Sequence, residues 1–433
     1  MNRAMKGKSR KFGAPLFFCA FVEGESQVVL GGGGGASSTG VANRLLLVAA
    51  EGGGGSGKEG EGKGKGSPGR GVPRVAQLES DPCGETHTGD AAVVGGAWLP
   101  DRSECVCVVS SKEGLRRYRL RSAKAGHAKG FDAVSIPSAH AESFRRAEVK
   151  CVAASARGTR IAVGFADGRL SVCDAGTLAQ VAERPASDGA ASGAAIASVC
   201  MSARGDHVVA VRADGTAFLW AVPKAKGAKG ATATSPVVPF ASPKAAGSRA
   251  AYRGCFVCDD ANGALSVGLG WNSGGRSHIV RWKLIPKAKP GGGAGAAWHV
   301  KRAAMRLAHT SPLTILCGFD PAGAPPSAPN SAGPRAMLGT GSTEGDVGVF
   351  DATTLARLHS VPGAHMIFVT HMAFSPTGAR VASVSADAGA RIDDVSAARR
   401  GGGRAALPEW VVQLFIAIVV LLLALRVYEA YYK

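Results

Sequence analysis

The residues in this sequence that offer the most specific chemistry lie in one segment, VVLGGGGGASSTGVANRLLLVAAE, from Val28 to Glu51. Five consecutive glycines, Gly31 to Gly35, leave the backbone unshielded, so that carbonyl oxygens can converge on a cation or a partner can approach closely. The following Thr39-Gly40-Val41-Ala42-Asn43 predicts an exposed apolar side chain and an amide beside that turn. The chemistry on offer is therefore binding, of an ion or of another protein.

An ordinary surface hairpin is the alternative interpretation of this segment. In that case Val41 is half-buried and Asn43 caps a turn, as asparagine often does. Glycine runs also occur at Gly52–Gly55, Gly291–Gly293 and Gly401–Gly403, so a run alone carries little information. The combination of a strand, GGGG, a spacer, Gly-Val-Ala-Asn and a second strand is what favours a binding loop.

Motifs of enzyme chemistry are missing from the rest of the sequence. The ten histidines are dispersed, no GxSxG motif occurs, and no glycine run ends in the GK[ST] of a phosphate-binding loop. We therefore predict a protein without bond-making activity. Cys105 with Cys107, and Cys255 with Cys258, are closely spaced, but neither pair has a second pair nearby. We expect the cysteines to be buried, reduced thiols rather than zinc or redox sites.

The strong positive charge raises the question of nucleic-acid binding. The formal net charge is +19, from 51 basic and 32 acidic residues. Much of this charge lies in stretches that are rich in Gly, Ala, Ser and Pro and lack aromatic residues to stack on bases. These stretches are Lys58–Arg70, Lys224–Lys229, Lys283–Lys289 and Arg399–Arg404. They are typical of solvated loops, so no nucleic-acid partner is expected.

Between these stretches a pattern of strands and turns recurs. A clear copy is VKCVAASARGTRIAVGFADGRLSVCD, in which Asp167-Gly168 is a hairpin-turn signal. A single meander of strands cannot bury both its faces, whereas seven arranged radially can. The seven units are Leu16–Ala50, Val93–Leu120, Val149–Asp174, Ile196–Trp220, Cys255–Leu284, Ile315–Asp351 and Phe368–Val395.

The predicted fold class is therefore all-β, a seven-bladed WD-repeat-like β-propeller over residues 12–396, with one C-terminal transmembrane helix. Low-complexity insertions are expected near 52–72, 224–248 and 286–297. The WD dipeptide and the Gly-His element of such repeats are missing from every unit. An array of two-sheet β-sandwiches is the structural alternative.

The N-terminus allows two interpretations. Basic Met1–Arg10 followed by apolar Ala14–Val22 has the outline of a signal peptide. The apolar run is short and continues into strand-like Gln27–Leu30, so we predict a first β-strand instead. The last unit lacks a clean fourth strand after Arg391, and we expect the N-terminal strand Phe17–Val22 to supply it.

An apolar run close to the C-terminus predicts a transmembrane helix over residues 407–428. A bilayer core of about 30 Å needs roughly 20 mostly apolar residues to be crossed as a helix. Trp410 and Tyr428 lie at its two ends, where aromatic rings prefer the headgroup layer. The basic Gly/Arg linker at 397–406 favours a cytosolic propeller and leaves 429–433 as a short lumenal tail.

Taken together, these features resemble a known family. A seven-unit WD-like propeller, GGGG followed by GVAN in its first unit, a late unit AHMIFVTHMAFSPTG and one C-terminal apolar helix resemble the tail-anchored exchange factors of the endoplasmic reticulum. These factors act on the small GTPase that initiates COPII coat assembly. The resemblance extends over essentially the whole chain and is specific in the first unit, the last unit and the apolar helix.

The resemblance implies roles for the first-unit loop. The loop is expected to project from the propeller, to be organised around a potassium ion and to engage the switch regions of the GTPase. Asn43 is implied to hold the loop geometry and Val41 to press on the GTPase, with Gly40 and Ala42 completing the contact. The family often has proline where this chain has Ala42. The ligands implied for potassium are Gly33, Gly34, Gly35, Thr39 and Asn43.

The function implied is guanine nucleotide exchange that promotes ER-to-Golgi vesicle formation. Such a factor binds the nucleotide-free GTPase more tightly than the nucleotide-bound form and needs no bond chemistry and no cofactor beyond the ion. The implied location is the ER membrane, with the GTPase and, through the C-terminal helix, the lipid bilayer as partners. Two alternatives remain. One is a catalytically silent ER-exit factor for membrane cargo on the same scaffold; the other is a generic ER-anchored propeller scaffold or, suggested only by the charge, a basic DNA-contacting regulator released from the membrane.

Overall fold

The computed structural model describes residues 9–22, 25–35, 40–51, 77–121, 129–186, 193–223, 237–243, 250–259, 264–286, 298–323 and 335–396. Within these ranges the chain forms seven antiparallel sheets, six with four strands and one with five. Each sheet is one blade, and the blades follow one another along the chain. The predicted all-β seven-bladed propeller is therefore confirmed.

The strands have the following bounds. Blade 1 contains β2 (Leu16–Phe21), β3 (Gln27–Gly32), β4 (Asn43–Glu51), β5 (Gln77–Leu78) and β6 (Gly84–Gly89), and blade 2 contains β7 (Val93–Leu99), β8 (Glu104–Val109), β9 (Leu115–Leu120) and β10 (Phe131–Val134). Blade 3 contains β11 (Val149–Ala154), β12 (Arg160–Phe165), β13 (Leu170–Asp174) and β14 (Gln180–Arg184), and blade 4 contains β15 (Ile196–Met201), β16 (His207–Arg212), β17 (Ala217–Ala221) and β18 (Val237–Phe240).

The remaining blades are built in the same way. Blade 5 contains β19 (Ala251–Asp259), β20 (Leu265–Ser273), β21 (Arg276–Pro286) and β22 (Trp298–His309), and blade 6 contains β23 (Leu313–Phe319), β24 (Met337–Ser342), β25 (Val347–Asp351) and β26 (Arg357–Val361). Blade 7 contains β27 (Val369–Phe374), β28 (Arg380–Ser385), β29 (Gly389–Asp394) and β1 (Arg10–Lys11). A helix α1 (Ser138–Arg145) and 3-10 turns at Pro100–Arg102 and Pro321–Gly323 lie between strands.

The apolar residues are buried between the blades. Seven hydrophobic clusters each join the facing strands of two adjacent blades, and the cluster around Leu46 and Ile392 joins blade 7 to blade 1. The turn glycines fit this plan: Gly168 and Gly215 have φ angles of 87° and 85°, as the Asp-Gly turn signals predict. The alternation of apolar residues therefore gives each blade two buried faces.

The strand that closes the ring is not the one predicted. Phe17–Val22 corresponds to β2, which is the innermost strand of blade 1 and pairs with β3. The fourth strand of blade 7 is β1, in which Arg10 and Lys11 pair with Ala390 and Gly389. The N-terminal region does complete the last blade, as predicted. The predicted strand is wrong, because β2 is the innermost strand of blade 1 and β1 pairs with blade 7 instead.

Two histidines form hydrogen bonds that hold the connections between blades: His309 lies before blade 6 and His365 before blade 7. The Nε2 atom of His365 lies 2.8 Å from the Ser383 hydroxyl oxygen, and its Nδ1 atom lies 3.9 Å from a carboxylate oxygen of Asp387. The Nε2 atom of His309 lies 2.9 Å from the Thr340 hydroxyl oxygen. The Gly-His dipeptide is missing from the seven units, but the Gly-Ala-His stretch Gly363–His365, ahead of blade 7, supplies the histidine that holds this connection in place.

The fold-class prediction needs a second correction, because it included a transmembrane helix. Crossing a bilayer as a helix takes about 20 residues, whereas α1 has 8. The part of the chain that the structure describes contains no helix that is long and apolar enough to span a membrane. The helix predicted over 407–428 falls outside the described residues and is not retained in the fold class. The expected insertions at 52–72 and most of 224–248 and 286–297 also fall outside them.

A pH dependence of stability follows from three histidines, of which His309 and His365 are buried and His371 is half-buried. Burial lowers the pKa of His309, His365 and His371 from 6.5 to about 4. Between these values the unfolded chain binds protons that the folded chain does not, so the free energy of unfolding falls as the pH is lowered from 6.5 to 4, by at most about 3 kcal/mol per histidine. Thermal unfolding followed by circular dichroism should show a melting temperature that drops through this window, and less steeply for His365→Gln. A melting temperature that stays constant there contradicts this expectation.

Candidate functional site

The glycine-rich segment lies where β3 leads into β4 of blade 1. Gly31 and Gly32 belong to β3, and the Gly33 N–H donates to the Pro15 carbonyl oxygen at 3.0 Å. A Cβ atom on Gly32 would lie 1.9 Å from that Pro15 oxygen. The first part of the run therefore needs glycine because two backbones approach each other closely, and the predicted bare backbone is covered here by the protein itself.

Asn43 holds the rest of the segment in place. Its Oδ1 atom accepts the Gly35 N–H at 2.9 Å, and its Nδ2 atom donates to the Gly35 and Gly89 carbonyl oxygens, each at 3.0 Å. The side chain is buried. Gly33 lies directly over it, since a Cβ there would be 2.2 Å from Oδ1. Gly89 is on β6, so the amide ties the loop to a different strand, which a simple turn cap does not do.

The partner-binding residues predicted from the sequence lie at the end of this loop. Gly40 and Ala42 are exposed, and Gly40 has a φ of 72°. Val41 is half-buried, as the ordinary-hairpin alternative expects, and part of its side chain is accessible. Residues 36–39, including Thr39, lie outside the described residues. Val41 and Asn43 are therefore brought together, but Val41 is less exposed than the sequence suggests.

The predicted potassium ligands are only partly assembled. The Gly35 carbonyl oxygen accepts a hydrogen bond from Asn43, and the Asn43 Oδ1 atom accepts one from Gly35. The Nδ2 atom of Asn43 thus occupies the carbonyl oxygens of Gly35 and Gly89, which a cation at this position would need as ligands. In the described part of the loop, the Asn43 amide therefore holds Gly35 through its own hydrogen bonds. The donor set does not fit an ion centred beside Asn43. Potassium stays a prediction from the resemblance, and no step below depends on it.

A second exposed feature lies on the connection from β26 to β27. Met366, Ile367 and Phe368 are three consecutive apolar residues, and Met366 is 81% exposed. We call Met366–Phe368 the apolar tip. It is held in place, because the Met366 N–H donates to Asp387 at 2.7 Å and the Ser385 hydroxyl donates to the Phe368 carbonyl at 2.8 Å. A run of three apolar residues in a connection was the sequence signal that could have revealed it.

The apolar tip and the first-blade loop lie at the same end of the propeller. In an antiparallel blade, the turn between the second and third strands and the connection into the next blade lie at one end. The segment Lys11–Pro15 contacts the support of both features. Lys11 lies 2.9 Å from Asp387, which holds the apolar tip, and the Pro15 carbonyl accepts the N–H of Gly33 in the first-blade loop. Lys11 to Pro15 spans at most about 14 Å, so both features can contact one partner.

The central channel offers no comparable chemistry. It contains a cavity of about 560 Å³ lined by the innermost strands, including Cys151, Cys200 and Cys317. Burial raises the pKa of the Cys317 thiol to about 12, so this thiol is protonated at neutral pH and is a poor nucleophile or ligand. Among the described residues, no group of three or more His, Cys, Asp or Glu side chains is placed to hold a metal ion.

Comparison with known proteins identifies one repeat. A family model described as "WD domain, G-beta repeat" matches residues 356–392, which include the end of blade 6 and most of blade 7. This is the part of the chain that contains His365, Ser383 and Asp387. No curated protein matches the sequence. The chain therefore contains a WD40 repeat within a seven-bladed propeller, an architecture consistent with a scaffold for protein interactions.

Replacement of Asn43 should loosen the loop. Asn43→Ala removes three hydrogen bonds, each with a net value of about 1 kcal/mol, so we expect a loss of about 1–3 kcal/mol in the free energy of unfolding. The Gly35 amide should also exchange its hydrogen faster, as measured by NMR. The matched control is Asn272→Ala, which removes the two bonds to Leu313 that link blades 5 and 6. Equal exchange at Gly35 in both variants would contradict the role of Asn43.

Proposed function

We propose that this protein is a guanine nucleotide exchange factor for the small GTPase that initiates the COPII coat, acting at the ER membrane to promote ER-to-Golgi vesicle formation. The first-blade loop is the site of action. The single observation that carries the proposal is the Asn43 amide, which fixes Gly35 and ties the loop to β6. This is the role that the resemblance implies for that residue.

The described geometry supports a protein partner more than a small ligand. Val41 and the apolar tip provide accessible apolar side chains at one end of the propeller. Their loops are held by the hydrogen bond that Asn43 donates to Gly35 and by the one that Asp387 accepts from Met366. Apolar residues on rigid supports lose little conformational freedom on binding, so more of their burial is available as affinity. An exposed methionine adapts well to an apolar partner surface.

The mechanism requires only differential binding. A factor that binds the nucleotide-free GTPase more tightly than the nucleotide-bound form weakens nucleotide affinity by the ratio of the two affinities. Under the proposal, Val41 presses on a switch segment and displaces it from its position beside the nucleotide. Asn43 keeps the loop in the shape that binds the open state, while the apolar tip adds contact area at the adjacent blade.

The first test is the release of fluorescent GDP from the COPII-initiating GTPase, catalysed by the full chain in potassium and in sodium buffer. We expect acceleration that falls several-fold in Val41→Ser, since completing the burial of a half-buried valine side chain is worth about 1 kcal/mol. Ile285→Ser is the control, because Ile285 is 43% exposed and lies on β21 in blade 5. Equal rates in the two variants would count against the loop as the site.

If the protein does not accelerate GDP release, binding of the GTPase distinguishes the two alternative functions. If the folded protein binds the GTPase without releasing GDP, the silent ER-exit factor replaces the exchange factor as the conclusion. If it neither binds nor releases, the generic scaffold does. A rate that is the same in potassium and sodium would show that the Asn43 amide suffices without the ion.

The apolar tip gives an independent prediction. The double variant Met366→Ser/Phe368→Ser should weaken binding of the nucleotide-free GTPase by about tenfold or more, because two exposed apolar side chains lose their burial in the complex. Isothermal titration calorimetry measures this. Met305→Ser, which changes a residue 40% exposed on the outer strand of blade 5, is the control and should bind normally. Unchanged affinity in the double variant would remove the tip from the interface.

A further inference from the structure

The outer strand of blade 5 differs from the other outer strands. Strand β22 has 12 residues, whereas the outer strands of blades 3, 4 and 6 have 5, 4 and 5. At about 3.4 Å per residue its edge is roughly 40 Å long. It pairs with β21 on one side only, and no strand within the described ranges pairs with its other edge.

The main chain of this edge is oriented to accept a further strand. The guanidinium of Arg357, on β26, donates to the Leu307 and Ala308 carbonyl oxygens at 3.4 and 2.6 Å, so these two carbonyls point out of the sheet. Along an antiparallel strand, the N–H and carbonyl groups of every second residue point to the same edge. The N–H and carbonyl of Met305 therefore point to the same unpaired edge as the carbonyl of Leu307. Hydrogen-bonding groups of this kind form a template for an extended peptide.

The side chains along β22 make this edge positive. Lys301, Arg302 and Arg306 are exposed, and none of the three forms an ion pair with a carboxylate among the residues described. Arg306 also lies near Arg357, whose pKa is lowered by burial and by that neighbouring charge. An anionic group placed along the strand would relieve this accumulation of like charge.

Apolar side chains are exposed between the basic ones. Met305 and Leu307 are 40% and 39% exposed and flank Arg306. Proteins often place lysine or arginine on an edge strand to prevent aggregation, and the bulges at Ala303 and Ala308 would serve the same purpose. That explanation accounts for the charges but not for two large apolar side chains beside them. A mixed basic and apolar edge is what an acidic strand with alternating apolar residues would complement.

We propose that β22 is a docking edge for an extended acidic segment of a partner protein, which adds to blade 5 as a fifth, outermost strand between Trp298 and Arg306. Main-chain hydrogen bonds supply the affinity, and the three basic residues select acidic side chains and speed encounter. The edge shares no residue with the first-blade loop or the apolar tip, so this inference does not rest on the proposed exchange activity.

The test uses the full chain and a fluorescent peptide of alternating glutamate and valine, eight residues long and blocked at both ends, with binding followed by anisotropy. The triple variant Lys301→Glu/Arg302→Glu/Arg306→Glu should lower the affinity about tenfold or more, because each cross-strand charge pair is worth about 0.2–1 kcal/mol and its reversal adds repulsion. The matched control, Lys112→Glu/Arg145→Glu/Arg146→Glu, makes the same change in net charge at exposed positions in blade 2 and on and beside α1. It should bind within about twofold of the parent.

Three further probes separate strand addition from simple charge attraction. A peptide with N-methyl groups on alternate amides cannot pair as a strand and should bind at least about tenfold more weakly. A single-stranded oligonucleotide and phosphatidylserine vesicles should not compete at equal charge concentration. The inference is overturned if the N-methylated peptide binds as well as its parent, if either anionic probe competes, or if the two triple variants lose affinity equally. Circular dichroism of each variant verifies that the propeller is intact.

Discussion

The structure depends on one constraint: a blade buries its two faces only against two neighbours, so blade 7 must meet blade 1. The contact between Lys11 and Asp387 joins positions 376 residues apart, and closing a loop of that length costs on the order of 5 kcal/mol in chain entropy. The two-residue pairing of β1 with β29 is small. The hydrophobic cluster between blades 7 and 1, which contains Leu30, Leu46 and Ile392, supplies most of the burial that opposes this cost.

The same closure positions the candidate site. After pairing with β29, the chain crosses the end of the propeller through Phe12–Pro15 and enters β2. The Phe12 carbonyl accepts from Arg44 at 2.7 Å, and the Pro15 carbonyl accepts from Gly33. The first-blade loop therefore packs against the segment that closes the ring. Its shape is coupled to closure, which explains why a glycine-rich sequence forms a defined structure at Gly31–Gly33.

The sequence predicted the blades well because their information is local: apolar alternation sets the strands, and turns such as Asp167-Gly168 set their ends. It did not predict β1, since two basic residues carry no strand pattern and pair only once the ring exists. The bond from Asn43 to Gly89 spans 46 positions, and the contact of Gly32 with Pro15 is likewise tertiary. For the same reason the sequence could name Asn43 as a loop residue but could not show which groups its amide would hold.

The way in which the loop is held bears directly on how it could act. A free glycine-rich loop would lose backbone entropy when it binds, about 1–2 kcal/mol for each residue fixed. Here the Asn43 amide, the Pro15 contact and the packing of Gly33 fix the first part of the loop before any partner arrives. Binding energy gained at Val41 is then available to distinguish one state of a partner from another rather than to order the loop. A device that works by differential binding needs this property, and the Asn43 amide, which bonds both Gly35 and Gly89, provides it.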